Sequence, residues 1–256
     1  MSVKIAMVQL RVDFKKEEEN FGRAEKEIAK AAQSGCCCAV LPECFDIGWG
    51  LPGALGYAQG IPGPRTERLG RLAREYGIAL VAGLTEKEGG RCYNTAVLLS
   101  RDGTLLGKHR KINVLHGVED MVYARGDRLG VYETEFGRVG VNICADNLWP
   151  HLALGRGLAA MGAKMILSPC AWAVPPEDAA AKKPYGETWL TPYTALAREY
   201  GLWVVGVSNV GDVSEGVWAG WKCIGNSIAV SPGGAALTME YGEDAQSTGV
   251  VIIAES

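Results

Sequence analysis

The chain has 256 residues with a formal net charge of −3, and its pI is near 5.7. That balance argues against nonspecific binding of nucleic acid or of an anionic membrane surface. No segment is long and apolar enough to cross a bilayer, and the opening MSVKIAMVQL runs straight into a strand without a signal-peptide layout. The expectation is one α/β domain over residues 1–256 in the cytoplasm, because no stretch reads as a linker.

Elements alternate along the chain. Val3 to Leu10 reads as a strand, Lys15 to Gln33 as an amphipathic helix with a solvated charged face, and Cys36 to Leu41 as a buried strand ending at Pro42-Glu43. An irregular Gly/Pro-rich loop leads to a helix from Thr66 to Tyr76, stopped by Gly77. Ile78 to Leu84 is a strand. Arg91 to Ser100 and Thr104 to Arg110 form a hairpin over Arg101-Asp102-Gly103. After a loop over Asn113 to Asp127, Leu129 to Glu133 and Arg138 to Cys144 form a second hairpin over Phe136-Gly137.

The second half keeps the rhythm. His151 to Met161 is helical, Lys164 to Ser168 a strand, Pro169 to Pro184 a long loop, and Glu187 to Tyr200 a helix stopped by Gly201. Leu202 to Val207 is a strand. Ile224 to Val230 pairs with Ala235 to Glu240, and Gln246 to Ile253 closes the sheet. Helix-strand followed by hairpin occurs in both halves, which suits two similar sheets packed face to face under outer helices.

Three residues stand at the ends of apolar strands and carry chemistry: Glu43 in CAVLPECF, Lys111 in LLGKHRKINVL, and Cys144 in RVGVNICADNLWP. Together they offer a base, a cation and a nucleophile. A carboxylate drawn into an apolar, Trp-rich site has its pKa raised into a useful range. An ammonium beside a thiol favours thiolate and then holds an oxyanion, with the Ala145 N–H as a second donor. None of the three His follows a buried strand as a Cys-His dyad would need. Each residue alone has a plainer reading: a core thiol, a loop cap, a surface charge.

The 8 Cys show no disulfide-framework spacing. Cys36, Cys37 and Cys38 look like a metal cluster, but consecutive strand residues point to opposite faces and cannot chelate one ion together. They read as core, and neither a metal nor a cofactor is expected. Cys170 reads as pocket wall, and Trp172 as lining the site. GNSIA around Ser227 is similar to a serine-hydrolase elbow, yet no helix follows it.

In order, the motifs resemble those of the nitrilase, or carbon-nitrogen hydrolase, superfamily. LPE ends at Glu43, KHRK ends at Lys111, and CADNLWP opens at Cys144. AMVQL, YNTAVLL, GAKMILSPCAW, SNVG and GNSIAVSPGG fill the flanking positions, so the resemblance covers nearly the whole chain. It implies a four-layer α-β-β-α sandwich, homodimers or higher homo-oligomers, and a cofactor-free acyl transfer through a Cys144 thioester. It also implies a second glutamate, Glu119, seven residues before Gly126, that positions substrate or lysine. Asp120 is its neighbour, and spacing alone selects between them.

Departures are as informative. The family's Arg after CxD is Leu148, preceded by Asn147, so the grip that carbamoyl amino acid hydrolases place on a substrate carboxylate is missing. The usual Tyr and His around the lysine are His109 and Asn113. Ala145, Asn147 and Trp172 are expected to line the substrate or its oxyanion. True nitrilases carry Trp-Glu after the Cys, and here it is Ala145-Asp146. The leading expectation is therefore a hydrolase of a small amide or carbamoyl compound. The alternatives are a nitrilase or an acyltransferase on the same thioester, and a non-catalytic binding protein on the same fold.

Overall fold

The computed structural model describes residues 3–183 and 185–253. One six-stranded sheet holds β1 (Val3–Gln9), β2 (Cys38–Val40), β3 (Ala79–Glu88), β4 (Arg91–Leu99), β5 (Leu105–Arg110) and β15 (Ser247–Ile253), in the order β15-β1-β2-β3-β4-β5. A second six-stranded sheet runs β14 (Ala236–Thr238), β13 (Ile228–Val230), β10 (Trp203–Ser208), β8 (Met165–Cys170), β7 (Gly137–Val141), β6 (Val131–Thr134). The central strands β1-β2-β3 and β7-β8-β10 are parallel within each sheet, and hairpins flank them.

Side-chain parity builds the layers. Ile5, Met7, Cys38, Val40, Val81 and Leu98 face the second sheet and join its core. Their neighbours Ala6, Val8, Ala39, Leu80 and Val97 face outward. Helix α1 (Glu17–Gln33) meets that outer face through Phe21, Ala24, Ile28 and Ala31, which recur at three- and four-residue spacing. Burying Phe21 or Ile28 is worth about 1.5–3 kcal/mol each. Helix α2 (Pro64–Tyr76) begins with proline at its first position, and the Thr66 hydroxyl accepts the Gly63 N–H at 2.8 Å. On the far side α3 (Leu152–Ala160) and α5 (Glu187–Tyr200) cover the second sheet through Leu158, Trp189, Tyr193 and Leu196. The result is the α-β-β-α sandwich expected from the resemblance.

Several boundaries differ from the sequence reading. Strand β7 stops at Val141, and Cys144 opens a separate one-turn 3-10 segment, Cys144–Asn147. The second hairpin turns over Glu135-Phe136, because Thr134 pairs with Gly137. Residues expected as one loop after Ser168 hold the end of β8, the short strand β9 (Ala173–Val174) and the short helix α4 (Pro176–Ala180); Pro184 lies outside the described residues. The strand expected over Ile224 to Val230 is broken. Gly225 and Asn226 both have positive φ, at 63° and 57°, and split it into β12 (Lys222–Ile224) and β13. β12 pairs with β9 and with β11 (Val210–Asp212) in a three-stranded sheet that the sequence did not foreshadow.

No helix among the described residues is long and apolar enough to cross a membrane. Cys36 packs in the outer core and Cys38 in the inner one, so the Cys run is split between layers. The cysteines are free thiols.

Candidate active site

Glu43, Lys111 and Cys144 come from three different strand ends, and the fold brings them together in one buried cluster. Glu43 follows β2 by three residues, Lys111 follows β5 directly, and Cys144 lies three residues beyond β7. Lys111 Nζ donates to Glu43 Oε1 at 2.8 Å and to Glu119 Oε1 at 2.7 Å. All three side chains are at most 1% exposed. Glu119 is therefore in the cluster, whereas Asp120 points to the surface and binds His116 and the Gly117 N–H. Of these two neighbouring acids, Glu119 is the one that reaches Lys111.

Glu119 is held from every side. Its Oε1 also accepts the Trp49 Nε1–H at 2.6 Å, and its Oε2 accepts the Leu115 N–H at 2.8 Å. Glu43 differs. Its Oε1 accepts from Lys111 and from Asn94 Nδ2 at 2.6 Å, but its Oε2 is buried with no protein partner. Burial pushes the Glu43 carboxyl up, with the Glu119 charge adding to it; Lys111 and Asn94 oppose. The balance leaves it at about 7. Burial works against the Lys111 ammonium, yet Glu119 and Glu43 outweigh it and hold the lysine well above its ordinary value.

Burial likewise pushes the Cys144 thiol well above its ordinary value. The Cys170 thiol beside it and the Glu43 charge add to that, and Lys111 opposes. Cys144 thus rests as a thiol and needs a base to react. Its backbone is unusual: φ is +42°, in the left-handed region that non-glycine residues avoid. Cys44, directly after Glu43, shares this conformation at +44°. Such strain gathers where a turn must aim a side chain.

The turn that carries Cys144 is tied down. The Cys144 N–H donates to the Ser168 hydroxyl at 3.1 Å. Asp146 Oδ2 accepts the Ile143 N–H at 3.1 Å and meets His109 Nε2 at 2.8 Å, while its Oδ1 accepts the Asn113 N–H at 2.8 Å. The two departures flanking the lysine motif, His109 and Asn113, therefore converge on one carboxylate in the turn that carries Cys144. Asn147, expected at the substrate wall, spends both amide donors on Asn142 and Ser168, at 2.9 and 3.0 Å. Through these bonds it braces the turn. Ala145 is second in the turn, where a helix start leaves backbone N–H groups without intrahelical partners.

Trp172 is buried, stacks on Trp189 at 4.9 Å, and keeps its indole N–H without a partner. Tyr193 meets both rings edge-on and contacts the Cys170 sulfur at 3.7 Å. Cys170 thus packs between Tyr193 and Cys144. On the other flank Trp49 packs at 5.0 Å on Trp218, which stacks on Trp221. Sequence reasoning missed the jobs of Asn94, Trp49 and Ser168. For Asn94 and Ser168 the signal was present in YNTAVLL and GAKMILSPCAW; Trp49 lies in a stretch with no such motif.

The sandwich and its buried Glu-Lys-Glu-Cys cluster place the molecule in the nitrilase-type class of folds. The family model for carbon-nitrogen hydrolases matches residues 4–255, and the chain belongs to that family. It is 40% identical over 159 residues to an omega-amidase NIT2 from Xenopus tropicalis, covering 59% of this chain and 57% of that relative's length. It is 35% identical over 243 residues to a protein named nitrilase from Pyrococcus abyssi, covering 93% of this chain and 84% of the relative. Among solved structures, Nit3 of Saccharomyces cerevisiae, a member of branch 10 of the nitrilase superfamily, superposes with a TM-score of 0.83 at 24% identity, over 98% of this chain and 90% of its own. A mutant amidase from Nesterenkonia sp. AN1, with acrylamide added to its active-site cysteine, superposes at 0.81 and 22% identity, over 99% and 93%. At those identities the two superpositions carry the fold alone.

Proposed function

We propose that this chain hydrolyses the carbon-nitrogen bond of a small amide or carbamoyl compound through a thioester on Cys144. One observation carries the reading. Lys111 bridges two buried carboxylates, while Glu43 keeps one buried oxygen free and a pKa of about 7. A structural ion pair has no use for a bare carboxylate oxygen, but a general base does.

In this mechanism Glu43 takes the thiol proton as the Cys144 sulfur attacks the acyl carbon. The C–N double-bond character is lost, and the carbonyl oxygen becomes an oxyanion held by Lys111 and the Ala145 N–H. Protonated Glu43 then returns its proton to the leaving nitrogen, and ammonia or an amine departs. A water, deprotonated by Glu43, attacks the thioester, releases the acid and restores the thiol. Glu119 favours the charged form of Lys111 and fixes its position. The reaction calls on this chain's own side chains and needs no cofactor.

The substrate class rests on the family, on the omega-amidase relatives, and on Ala145-Asp146 where nitrilases carry Trp-Glu. The nitrilase relative, aligned over most of the chain, keeps nitriles as a second reading of the same site. With this reading go a single catalytic domain, from the lack of a linker-like stretch, and a homodimer or higher homo-oligomer, from the family resemblance.

The test is ammonia release from a panel of small amides, carbamoyl compounds and nitriles, with Cys144→Ala as control and intact-mass detection of the acyl adduct. Ammonia from amides, lost in the variant, is the expected result. Ammonia from nitriles alone would move the chain to the second reading. An adduct without turnover would point to transfer onto another acceptor instead of water.

A further inference from the structure

Asn94 touches more of the cluster than any other residue outside it. Its backbone carbonyl accepts the Lys111 N–H at 2.8 Å. Its Nδ2 donates to Glu43 Oε1 at 2.6 Å and reaches Glu119 Oε1 at 3.4 Å. Strand register puts it there: β4 pairs Asn94 with Thr85 of β3, and its neighbour Thr95 with Arg110 of β5, one residue before the lysine.

Charge fixes the orientation of the amide. Reversed, its oxygen would face two carboxylates, so Nδ2 must point at them. Oδ1 then points away, buried and without a protein partner. A fully buried amide satisfied on one side only is a standing cost. An apolar residue of the same volume would fill the space more cheaply, so packing does not explain the asparagine. A second observation points the same way. Of the two Glu43 oxygens, Asn94 and Lys111 occupy Oε1, and Oε2 has no partner.

We propose that Asn94 is a positioning residue: with Lys111 it pins Oε1 of Glu43 and thereby reserves Oε2 as the oxygen that exchanges the proton with Cys144. The inference rests on the mechanism proposed above. In the step concerned the S–H bond of Cys144 breaks, its proton goes to Oε2, and the sulfur electron pair goes to the acyl carbon. Asn94 also favours the charged form of Glu43, because its bond is made to the carboxylate. The groups facing Glu43 are Lys111 and Glu119 after β5, Cys144 in its turn, Cys44 beside it, and Cys223 on β12. Burial and the Glu119 charge raise its pKa, while Lys111 and, from β4, the Asn94 amide lower it. Losing Asn94 must therefore raise it.

The experiment compares wild type, Asn94→Ala and the near-isosteric Asn94→Asp by two readouts. One is kcat and KM against pH for an amide hit. The other is the rate of Cys144 alkylation by iodoacetamide against pH, which needs no substrate. Each variant's Tm is measured alongside. The expected kcat loss is about tenfold to a hundredfold, the range for one hydrogen bond to a charged group, with KM little changed. The acid limb should move up by about one pH unit in both profiles. If Asn94→Ala does not fold, Asn94→Asp carries the test, because its added charge must also raise Glu43. An acid limb that stays in place in the folded variants overturns the positioning role. Failure of every amide, with an alkylation profile that still shifts, overturns the proposed substrate class and leaves this inference standing.

Discussion

His109 Nε2 lies 2.8 Å from Asp146 Oδ2, and neither side chain is exposed. The contact joins the end of β5, which delivers Lys111, to the turn that delivers Cys144. Two positions of the proposed mechanism, from different sheets, are thus locked by one buried pair. Burial would raise the Asp146 pKa, but His109 and the Asn113 N–H outweigh it and hold the carboxyl below its usual range. Asp146→Ala leaves the imidazole and two backbone N–H groups without their acceptor. The expected loss is about 3–5 kcal/mol, as for breaking a buried pair, read from the denaturant midpoint. A loss below about 1 kcal/mol would mean that the turn stands without Asp146. The sign of the pH effect follows from the depressed pKa. The stability from Asp146 is present above the ordinary carboxylate pKa and is lost as pH falls through its lower, folded value. Wild type should therefore lose stability below about pH 4, and Asp146→Asn should lose less across that window.

In the proposed mechanism Glu43 sets the acid limb of turnover. Its pKa stands at about 7 because burial outweighs Lys111. The base must be ionised to take the thiol proton, so kcat/KM should fall as pH drops through about 7. Glu43→Gln keeps the shape and removes the base. The expected loss is about 10²- to 10⁴-fold, with whatever activity remains showing no such limb. An unchanged limb in Glu43→Gln would assign the titration to another group.

Lys111 bridges two carboxylates that are both fully buried. Lys111→Ala strands both charges, and protonation of one carboxylate can relieve only part of that. A loss of about 3–5 kcal/mol is expected, together with loss of turnover. Lys111→Ala combined with Glu43→Gln should recover part of the stability and none of the activity. Denaturant midpoints of the single and double variants decide this; strict additivity of the two losses would show that the residues do not interact.

The sequence made the cluster legible where chemistry coincides with pattern. Glu43, Lys111 and Cys144 each sit where an apolar strand gives out, and Glu119 sits at a fixed distance from Gly126. Alternation separated the strands, and Gly77 and Gly201 marked helix ends, both adopting the left-handed conformation. What stayed illegible depends on contacts far apart in sequence. The break at Gly225-Asn226 is held by Gln9, whose Oε1 accepts the Ser227 N–H from across 218 positions. Asn147 carries no local sign that its partners are Asn142, five residues back, and Ser168, on β8. Trp49 gave no local sign of binding Glu119, which is 70 residues away. Periodicity reports which face is buried; it does not report which buried polar atoms meet.

Gly83 shows how tightly the base is seated. β3 passes directly under the Glu43 turn, and the Gly83 N–H donates to the Pro42 carbonyl at 3.1 Å while its carbonyl accepts the Phe45 N–H at 3.0 Å. A Cβ at this position would lie 2.5 Å from Glu43 Cα and 2.7 Å from the Pro42 oxygen. Both are backbone atoms and cannot swing aside, so the turn must move or the strand must part from it. Cys44 already holds a left-handed φ in this turn, which leaves it little room to adjust. Gly83→Ala should therefore cost about 1–3 kcal/mol in stability, the range for overpacking a filled site. Activity should fall further than stability alone explains, since a displacement of about 1 Å in a reacting group can cost a hundredfold. Folded Gly83→Ala protein with wild-type kcat would show that the seat of Glu43 tolerates movement. A fall in kcat with an unchanged rate of Cys144 alkylation would place the damage after the first proton transfer, and a fall in both would place it at Glu43 itself.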